Sequence, residues 1–173
     1  TGCAGNMGSK IIKTVQAQDN MEVVMGIEMP NSPLAGNDLG QQIGLGPMGV
    51  EIIGSQDLKT ELKKVKPDVL VDFTIAKAAV ETVKICAECG VNVVVGTTGL
   101  NDEQLDVMHK AIKDNDIKAV ISPNMATGVN VFFEIVGQVA KILGNEYDVE
   151  IVEAHHHNKQ DAPSGTAKRA AEI

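Results

Sequence analysis

A segment near the end of the chain, EAHHHNKQDAPSGTA at residues 153–167, gathers side chains suited to acid–base chemistry. Its three adjacent histidines can exchange protons near neutral pH. Lys159 adds a fixed positive charge, and Pro163 and Ser164 are typical of a helix start. Gly165 would let an anion approach the free N–H groups of that helix. The segment therefore predicts a carboxylate-binding site beside an imidazole proton donor.

The three histidines could also indicate a metal site. On a strand, alternate residues share a face, so His155 and His157 would point one way and His156 the other. They cannot all turn toward one ion, and no Asp, Glu or Cys lies at a helpful spacing nearby. No metal site is therefore expected.

The N-terminal stretch TGCAGNMG carries glycines at a spacing typical of phosphate-binding turns. Gly2 and Gly5 would allow a tight turn and the approach of a pyrophosphate, and Gly8 would let the following helix pack closely. The same glycines are also consistent with an ordinary loop before a helix. The helical pattern that begins directly after the turn favours dinucleotide binding.

An acidic residue follows the turn at a distance that suits ribose binding. Glu28 lies twenty residues beyond Gly8 and ends an apolar run, where a carboxylate can bind the adenosine ribose hydroxyls. Met29 follows it, and no Arg is placed to bind a 2′-phosphate. Because a carboxylate repels that phosphate, NADH is favoured over NADPH.

Short polar loops follow several of the apolar runs. They are DFT at 72–74, GTTG at 96–99 and SPNMATG at 122–128. In an open parallel sheet these loops lie at the carboxyl ends of the strands, where ligands bind. Each alone is equally consistent with plain turn chemistry. Three in succession indicate a cleft.

Alternating strand and helix patterns predict how these loops are positioned. Strands are predicted at 22–27, 68–73, 91–96, 117–122 and 148–154, and helices at 7–19, 75–89, 101–115 and 129–143. The alternation predicts an α/β fold, a Rossmann-like doubly wound parallel sheet with the first four strands as neighbours. Residues 31–50 are predicted to form a long loop. We predict a dinucleotide-binding domain at 1–125 and a second domain from 126 to 173.

Composition narrows the partners and the compartment. The 173 residues carry 15 basic and 23 acidic side chains, a net charge of −8, with no basic run and few aromatics, so a nucleic-acid partner is not expected. No membrane span is apparent. The odd cysteine count, 3, suggests a reducing compartment, most simply the cytoplasm. Cys86 and Cys89 near a helix end are interpreted as packing residues rather than a redox pair.

The combined motifs resemble one enzyme family. EAHHHNKQDAPSGTA, GCAGNMG, GTTG and SPNMATGVNVFF closely resemble 4-hydroxy-tetrahydrodipicolinate reductases, also called dihydrodipicolinate reductases, over essentially the whole chain. The resemblance implies that NADH or NADPH reduces a cyclic imine dicarboxylate to tetrahydrodipicolinate, in lysine and diaminopimelate biosynthesis. Family members begin with a strand before the glycine turn and continue beyond a site helix. The chain is therefore expected to be part of a longer, homotetrameric protein whose second domain, of α+β type, binds substrate and forms the tetramer.

The resemblance also implies residue roles. His155 would be the general acid. Lys159, the second catalytic residue, would hold one substrate carboxylate and steady the developing charge, and His156 would contact the substrate. The other carboxylate would be held by the helix start at Ser164, Gly165 and Thr166. The cofactor would be met by Gly2, Gly5, Met7, Glu28, Phe73, Gly96, Thr98, Asn124 and Met125, and we add Asn6, Gly8, Thr97 and Pro123, which lie in the same turns.

Two alternatives stay open from the residues. Another Rossmann-type dehydrogenase, acting on an amino acid or a semialdehyde, would explain the glycine turn but not the histidine–lysine–SGT arrangement. A non-catalytic nucleotide-binding module would require purely structural roles for His155 and Lys159.

Overall fold

The computed structural model describes residues 1–157 and 162–173, so Lys159 lies outside the described residues. The chain divides into two compact units, Thr1–Ile121 and Ser122–Ile173. Each unit is described by itself below.

The first unit is a layered arrangement of short parallel strands and helices. In order along the chain it contains α1 (Asn6–Gln16), β1 (Gly26–Glu28), α2 (Leu39–Gln42), β2 (Ile52–Gly54), α3 (Leu58–Val65), β3 (Val69–Asp72), α4 (Ala76–Cys89), β4 (Asn92–Val95), α5 (Asp102–Asp114) and β5 (Ala119–Ile121). The strands β3, β4 and β5 pair in that order, and β1 pairs with β2, all in parallel. The predicted α/β, Rossmann-like class is confirmed.

The strand order differs from the prediction. β1 pairs with β2, whose register places Ile27 opposite Ile53, and β3 begins a separate sheet. The prediction that the first four apolar runs are neighbours is therefore wrong. It failed because β2, a 3-residue strand that follows the glycine-rich segment, was not among the predicted strands, and it is the strand that pairs with β1.

The segment 31–50, predicted as a long loop, contains the short helix α2, and the side chain of Asp38 joins the start of that helix to residue 49 by hydrogen bonds. Asp38 Oδ1 accepts from the Gln41 N–H at 3.0 Å, and Oδ2 accepts from the Gly49 N–H at 2.7 Å. These backbone donors lower the pKa of the Asp38 carboxyl. A side-chain cap thus gives the segment a defined conformation, which corrects the prediction of an unstructured loop.

The longer helices follow local signals. Asn101 and Gln104 form a reciprocal capping box at the start of α5, and Gly90, with φ +71°, ends α4 in the left-handed conformation. The buried face of α4, with Ala79, Val83 and Cys86, packs in the main apolar core. These ends agree with the predicted helices at 75–89 and 101–115 to within one residue at each end.

Residues Thr1 and Gly2 bridge the two small sheets. The Thr1 nitrogen donates to the Val71 carbonyl of β3 at 2.7 Å, and the Gly2 N–H donates to the Ile27 carbonyl of β1 at 2.8 Å. A groove of about 810 Å³ adjoins them, lined by residues of α1, β1 and β3. The glycine turn is therefore anchored to both sheets.

The second unit contains helices α6 (Thr127–Leu143) and α7 (Gly165–Glu172). Residues 148–154 form no strand in the part of the chain that the structure describes, so that prediction is wrong. A strand requires a partner with which to share backbone hydrogen bonds, and no described residue pairs with this segment. Among the helices of the described residues, none is long and apolar enough to cross a membrane.

Candidate functional site

The glycine turn before α1 has the geometry of a phosphate-binding turn. Gly2 adopts φ +67°, and a Cβ added there would lie 2.7 Å from the Phe73 carbonyl oxygen. A Cβ at Gly8 would collide with the Gly2 carbonyl. Gly5 precedes the helix without a side-chain cap, so the first turn of α1 keeps its N–H groups for a ligand. Side chains at Gly2 or Gly8 would disrupt these close backbone approaches, and with them the turn that presents the N–H groups.

Glu28, at the end of β1, lies against this turn. Its Oε1 accepts from the Ala4 N–H at 2.8 Å and lies 3.5 Å from the Cys3 thiol. Glu28 is thus held beside the glycines, while the side chain of Met29 is 63% exposed. The structure brings together the predicted ribose-binding carboxylate and the predicted pyrophosphate turn.

The loops after β3 and β4 meet at the same edge. A Cβ at Gly96 would collide with the Phe73 ring, so the aromatic ring lies directly on the glycine backbone. Thr97 is buried, and its hydroxyl donates to Asp72 Oδ1 at 2.6 Å and accepts from the Thr74 N–H at 2.8 Å. The neighbouring Thr98 is exposed. Thr98 therefore has the freer hydroxyl of the two.

A polar loop opens the second unit, leads into α6 and contacts α7 through Asn124. The Asn124 carbonyl accepts from Ser122 at 2.9 Å, its Oδ1 accepts from the Ala126 N–H at 2.9 Å, and its side-chain nitrogen donates to Thr166 Oγ1 at 3.4 Å. A predicted cofactor residue, Asn124, thus contacts a predicted substrate residue, Thr166. Pro123 and Met125, on either side of Asn124, are exposed.

The start of α7 is capped as the sequence predicted. Ser164 is buried, and its hydroxyl accepts from the Ala167 N–H at 3.0 Å. Gly165 is the first residue of the helix and is exposed, and Thr166 follows it. The geometry leaves the exposed helix N-terminus suited to an anion.

Glu153 joins this helix start to the first histidine, a link that sequence reasoning missed. Its Oε1 accepts from the Ser164 N–H at 2.8 Å, and its Oε2 lies 3.5 Å from His155 Nδ1. With a carboxylate at Nδ1, the other ring nitrogen, Nε2, is the one left to face a ligand. His156 and His157 are both exposed. The acidic residue that opens the motif was the available signal.

Asp72 is the second residue that the sequence analysis missed. It ends β3 with a relative exposure of 0%, and it was considered only as part of the DFT loop. A buried carboxylate requires several hydrogen-bond donors. The threonines of the DFT and GTTG loops can supply them, but which donor meets the carboxylate depends on tertiary contacts.

The cysteines behave as packing residues. Burial raises the pKa of Cys3 to about 12, with the Glu28 carboxylate adding to the effect, and burial raises the pKa of Cys86 to about 12. The Cys3 and Cys86 thiols therefore stay protonated near neutral pH, and Cys86, one member of the CxxC pair, is fully buried. Among the described residues, no group of three or more His, Cys, Asp or Glu side chains could hold a metal ion.

Two family models match the chain and together span nearly all of it. The one described as "Dihydrodipicolinate reductase, N-terminus" matches residues 1–125, and the one described as "Dihydrodipicolinate reductase, C-terminus" matches residues 128–173. This chain belongs to the dihydrodipicolinate reductase family. The resemblance deduced from the histidine, glycine and threonine motifs is confirmed.

Curated relatives agree with the family models. The chain is 99% identical over 173 residues to the 4-hydroxy-tetrahydrodipicolinate reductase of Methanosphaera stadtmanae and 61% identical to that of Methanobrevibacter smithii. In each case the matched region covers 100% of this chain and 63% of the relative. The chain thus spans less than two thirds of the length of these relatives.

Solved structures show the same likeness. The dipicolinate-bound dihydrodipicolinate reductase of Paenisporosarcina sp. TG-14 matches with a TM-score of 0.72 at 32% identity, over 97% of this chain and 61% of that one. An amine dehydrogenase of Mycobacterium smegmatis matches with a TM-score of 0.56 at 27% identity, over 69% of this chain and 37% of that one.

Proposed function

We propose that the full-length protein reduces the cyclic imine dicarboxylate 4-hydroxy-tetrahydrodipicolinate to tetrahydrodipicolinate with a reduced nicotinamide cofactor. The observation that carries the proposal is the arrangement in the second unit, where Glu153 contacts both His155 and the backbone of Ser164 at the start of α7. A proton donor and an anion-binding helix start then lie beside one another. The dipicolinate bound to the Paenisporosarcina relative is itself a cyclic dicarboxylate.

The glycine turn fits a dinucleotide. Gly2 and Gly8 allow close backbone approaches, to the Phe73 carbonyl and the Gly2 carbonyl, that a Cβ would prevent, and α1 begins without a side-chain cap. The pyrophosphate would be held by the N–H groups of this turn, and the adenosine ribose by Glu28. When bound, the nicotinamide supplies the hydride. Residues 1–125 would serve as the cofactor domain.

The remaining cofactor contacts would come from the other loops. Phe73, Gly96 and Thr98 would border the dinucleotide in the first unit, with Asn6 and Met7 at the start of α1. From the second unit, Pro123, Asn124 and Met125 would complete the contacts. The buried Thr97 hydroxyl is already bonded, so this residue would contribute through its backbone.

His155 would protonate the substrate as the hydride arrives. The carboxylate of Glu153 beside Nδ1 holds the ring in one orientation, so the proton would leave from Nε2. Imidazole is the side chain most often used as a general acid near neutral pH. The proposed role follows from the ring's orientation as well as from its chemistry.

The two substrate carboxylates would be held separately. Gly165 and Thr166 would bind one through the helix N-terminus and a hydroxyl, with Ser164 fixing that helix start. Lys159 would bind the other carboxylate, and His156 would contact the substrate. With a positively charged group or a helix N-terminus at each carboxylate, the substrate ring would be oriented before hydride transfer.

NADH is proposed as the preferred cofactor. The Glu28 carboxylate, which accepts from the Ala4 N–H at 2.8 Å, would hold the adenosine ribose and would repel a 2′-phosphate. Replacing Glu28 by Gln should narrow the NADH preference, chiefly by lowering the KM for NADPH. An unchanged ratio of kcat/KM for the two cofactors would contradict this role for Glu28.

The deciding experiment uses the full-length protein. We would generate the substrate in place from pyruvate and aspartate semialdehyde with the preceding enzyme, and follow oxidation of NADH and NADPH by absorbance. Oxidation that requires both precursors is the expected result. NADH binding without such oxidation would overturn the reductase assignment and favour another Rossmann-type dehydrogenase, such as one acting on an amine. We further propose that the full-length protein is cytoplasmic and forms a homotetramer. Light scattering would test the oligomeric state.

A further inference from the structure

We infer that Asp72 is a positioning residue for the dinucleotide, acting through the loops that would hold it. It makes no proposed contact with the cofactor. The inference rests on the proposed function only in taking the turn at Thr1–Gly8 and the loops after β3 and β4 as the cofactor-binding edge.

The Asp72 carboxylate gathers donors from three separate parts of the chain. Its Oδ2 accepts from the Thr1 hydroxyl at 2.5 Å, which belongs to the glycine turn. Its Oδ1 accepts from the Thr74 hydroxyl at 2.8 Å and from the Thr97 hydroxyl at 2.6 Å. The buried side chain of Asp72 therefore joins the glycine turn, the loop after β3 and the loop after β4.

The backbone of the same residue strengthens the junction. The Asp72 carbonyl accepts from the Gly96 N–H at 2.9 Å, and the next residue, Phe73, donates its N–H to the Thr1 carbonyl at 3.5 Å. Gly2 lies directly beyond Thr1, and a Cβ there would meet the Phe73 carbonyl at 2.7 Å. The conformation of Gly2, Phe73 and Gly96 thus depends on contacts centred on Asp72.

The Thr97 hydroxyl takes part in the network both as a donor and as an acceptor. Its hydroxyl donates to Asp72 and accepts from the Thr74 N–H at 2.8 Å, so its donor and one acceptor site are occupied. Asp72 and Thr97 are 0% and 4% exposed. Because neither side chain can exchange these partners for water without opening the core, the loops should hold their ligand-ready conformation before a dinucleotide arrives.

The test measures dinucleotide affinity in the full-length protein. Asp72→Asn and Thr97→Val should each raise the Kd for NADH, measured by fluorescence titration, by roughly tenfold, since each leaves buried donors or acceptors unpaired. Thr97→Ser keeps the hydroxyl and should recover most of the affinity lost in Thr97→Val. The Kd for dipicolinate should change by less than about twofold in all three variants, because its proposed ligands lie in the second unit.

A matched control separates positioning from general stability. Val83→Ala removes buried methyl groups from α4, in the core of the same unit and away from the loops. It should lower the melting temperature without raising the Kd for NADH. If Val83→Ala weakens NADH binding as much as Asp72→Asn does at equal loss of stability, Asp72 is a structural residue only and the inference is overturned.

The other outcomes also decide the question. Should Asp72→Asn fail to fold, the Thr97→Val and Thr97→Ser pair gives the same comparison, and equal affinities in that pair would overturn the inference. A wild-type protein that binds NADH but does not reduce the dicarboxylate removes the reductase proposal and leaves the Asp72 test intact. Absence of NADH binding in the wild type would overturn both.

Discussion

The two units hold their candidate site residues in different ways. In the first unit, the loops of the proposed cofactor edge are tied by fully buried polar groups, Asp72 at 0% exposure and Thr97 at 4%. In the second unit, the side chains of His155 and Glu153 are 38% and 29% exposed, and Glu153 Oε2 lies 3.5 Å from His155 Nδ1. Buried hydrogen bonds cannot be exchanged for bonds to water, whereas exposed pairs can.

This difference suits two different tasks. A dinucleotide that is bound mainly by backbone groups requires loops that are already in position, which a buried network supplies. In its proposed role as proton donor, His155 would have to remain accessible to the substrate and regain a proton after each turnover, which its partial exposure allows. We therefore expect substitutions in the first unit to affect cofactor affinity and folding, and substitutions in the second to affect the chemical step.

The largest expected effect concerns the proton donor. His155→Gln should lower kcat by roughly a thousandfold, within the range typical for loss of a general acid, while the Kd for dipicolinate stays nearly unchanged. Lys159→Ala should reduce both turnover and dipicolinate affinity, because it would remove a carboxylate partner. Steady-state kinetics and titration calorimetry of the full-length variants would separate the two.

His157→Gln is the matched control for His155→Gln. It removes an adjacent exposed imidazole to which we assign no role, and it should leave kcat within about twofold of the wild type, as most surface substitutions do. Equal losses in the two variants, or turnover that survives His155→Gln, would show that the second unit does not supply the acid as proposed.

The next effect concerns the core of the first unit. Leu62, at 1% exposure, packs in the main apolar cluster, and Leu62→Ala should lower the free energy of unfolding by about 3 kcal/mol. In the second unit, Glu172→Gln removes the exposed pair with Arg169 and should cost less than about 0.5 kcal/mol. Urea unfolding of the full-length proteins tests both expectations. Similar losses in the free energy of unfolding would contradict the difference expected between the two units.

A smaller effect on turnover is expected from Glu153. Glu153→Gln keeps an oxygen that can accept from the Ser164 N–H but loses the charge beside His155, so kcat should fall by about tenfold with dipicolinate affinity retained. Glu153→Ala loses both contacts and should also weaken dipicolinate binding. If the two variants behave identically, Glu153 does not couple the acid to the helix start.

The smallest expected effect concerns the thiols. With pKa values raised to about 12 by burial, Cys3 and Cys86 should resist a thiol reagent at pH 8, where roughly one thiol in ten thousand would be ionised. Since the folded protein holds these protons more tightly than the unfolded chain, their stabilising contribution should be lost as pH rises from about 9 toward 12. Mass spectrometry should find Cys89 labelled first, with turnover unchanged; early labelling of Cys3 would contradict its burial.

Local signals in the sequence predicted the parts that depend on neighbouring residues. The periodicity placed α4 and α5 to within one residue, and the Ser164–Thr166 run predicted the start of α7. The residue types of the histidine and glycine motifs were enough to identify the family. Each of these features arises from contacts between residues that are close along the chain.

Only the tertiary structure decided the strand order and the links between loops. The pairing of β1 with the 3-residue β2 and the absence of a strand at 148–154 depend on which partners are available in space. The contacts of Asp72 with Thr1 and Thr97, and of Glu153 with Ser164, join residues up to 71 positions apart. A sequence specifies which side chains can donate or accept a hydrogen bond, but folding determines which donor meets which acceptor, because those distances depend on the whole chain.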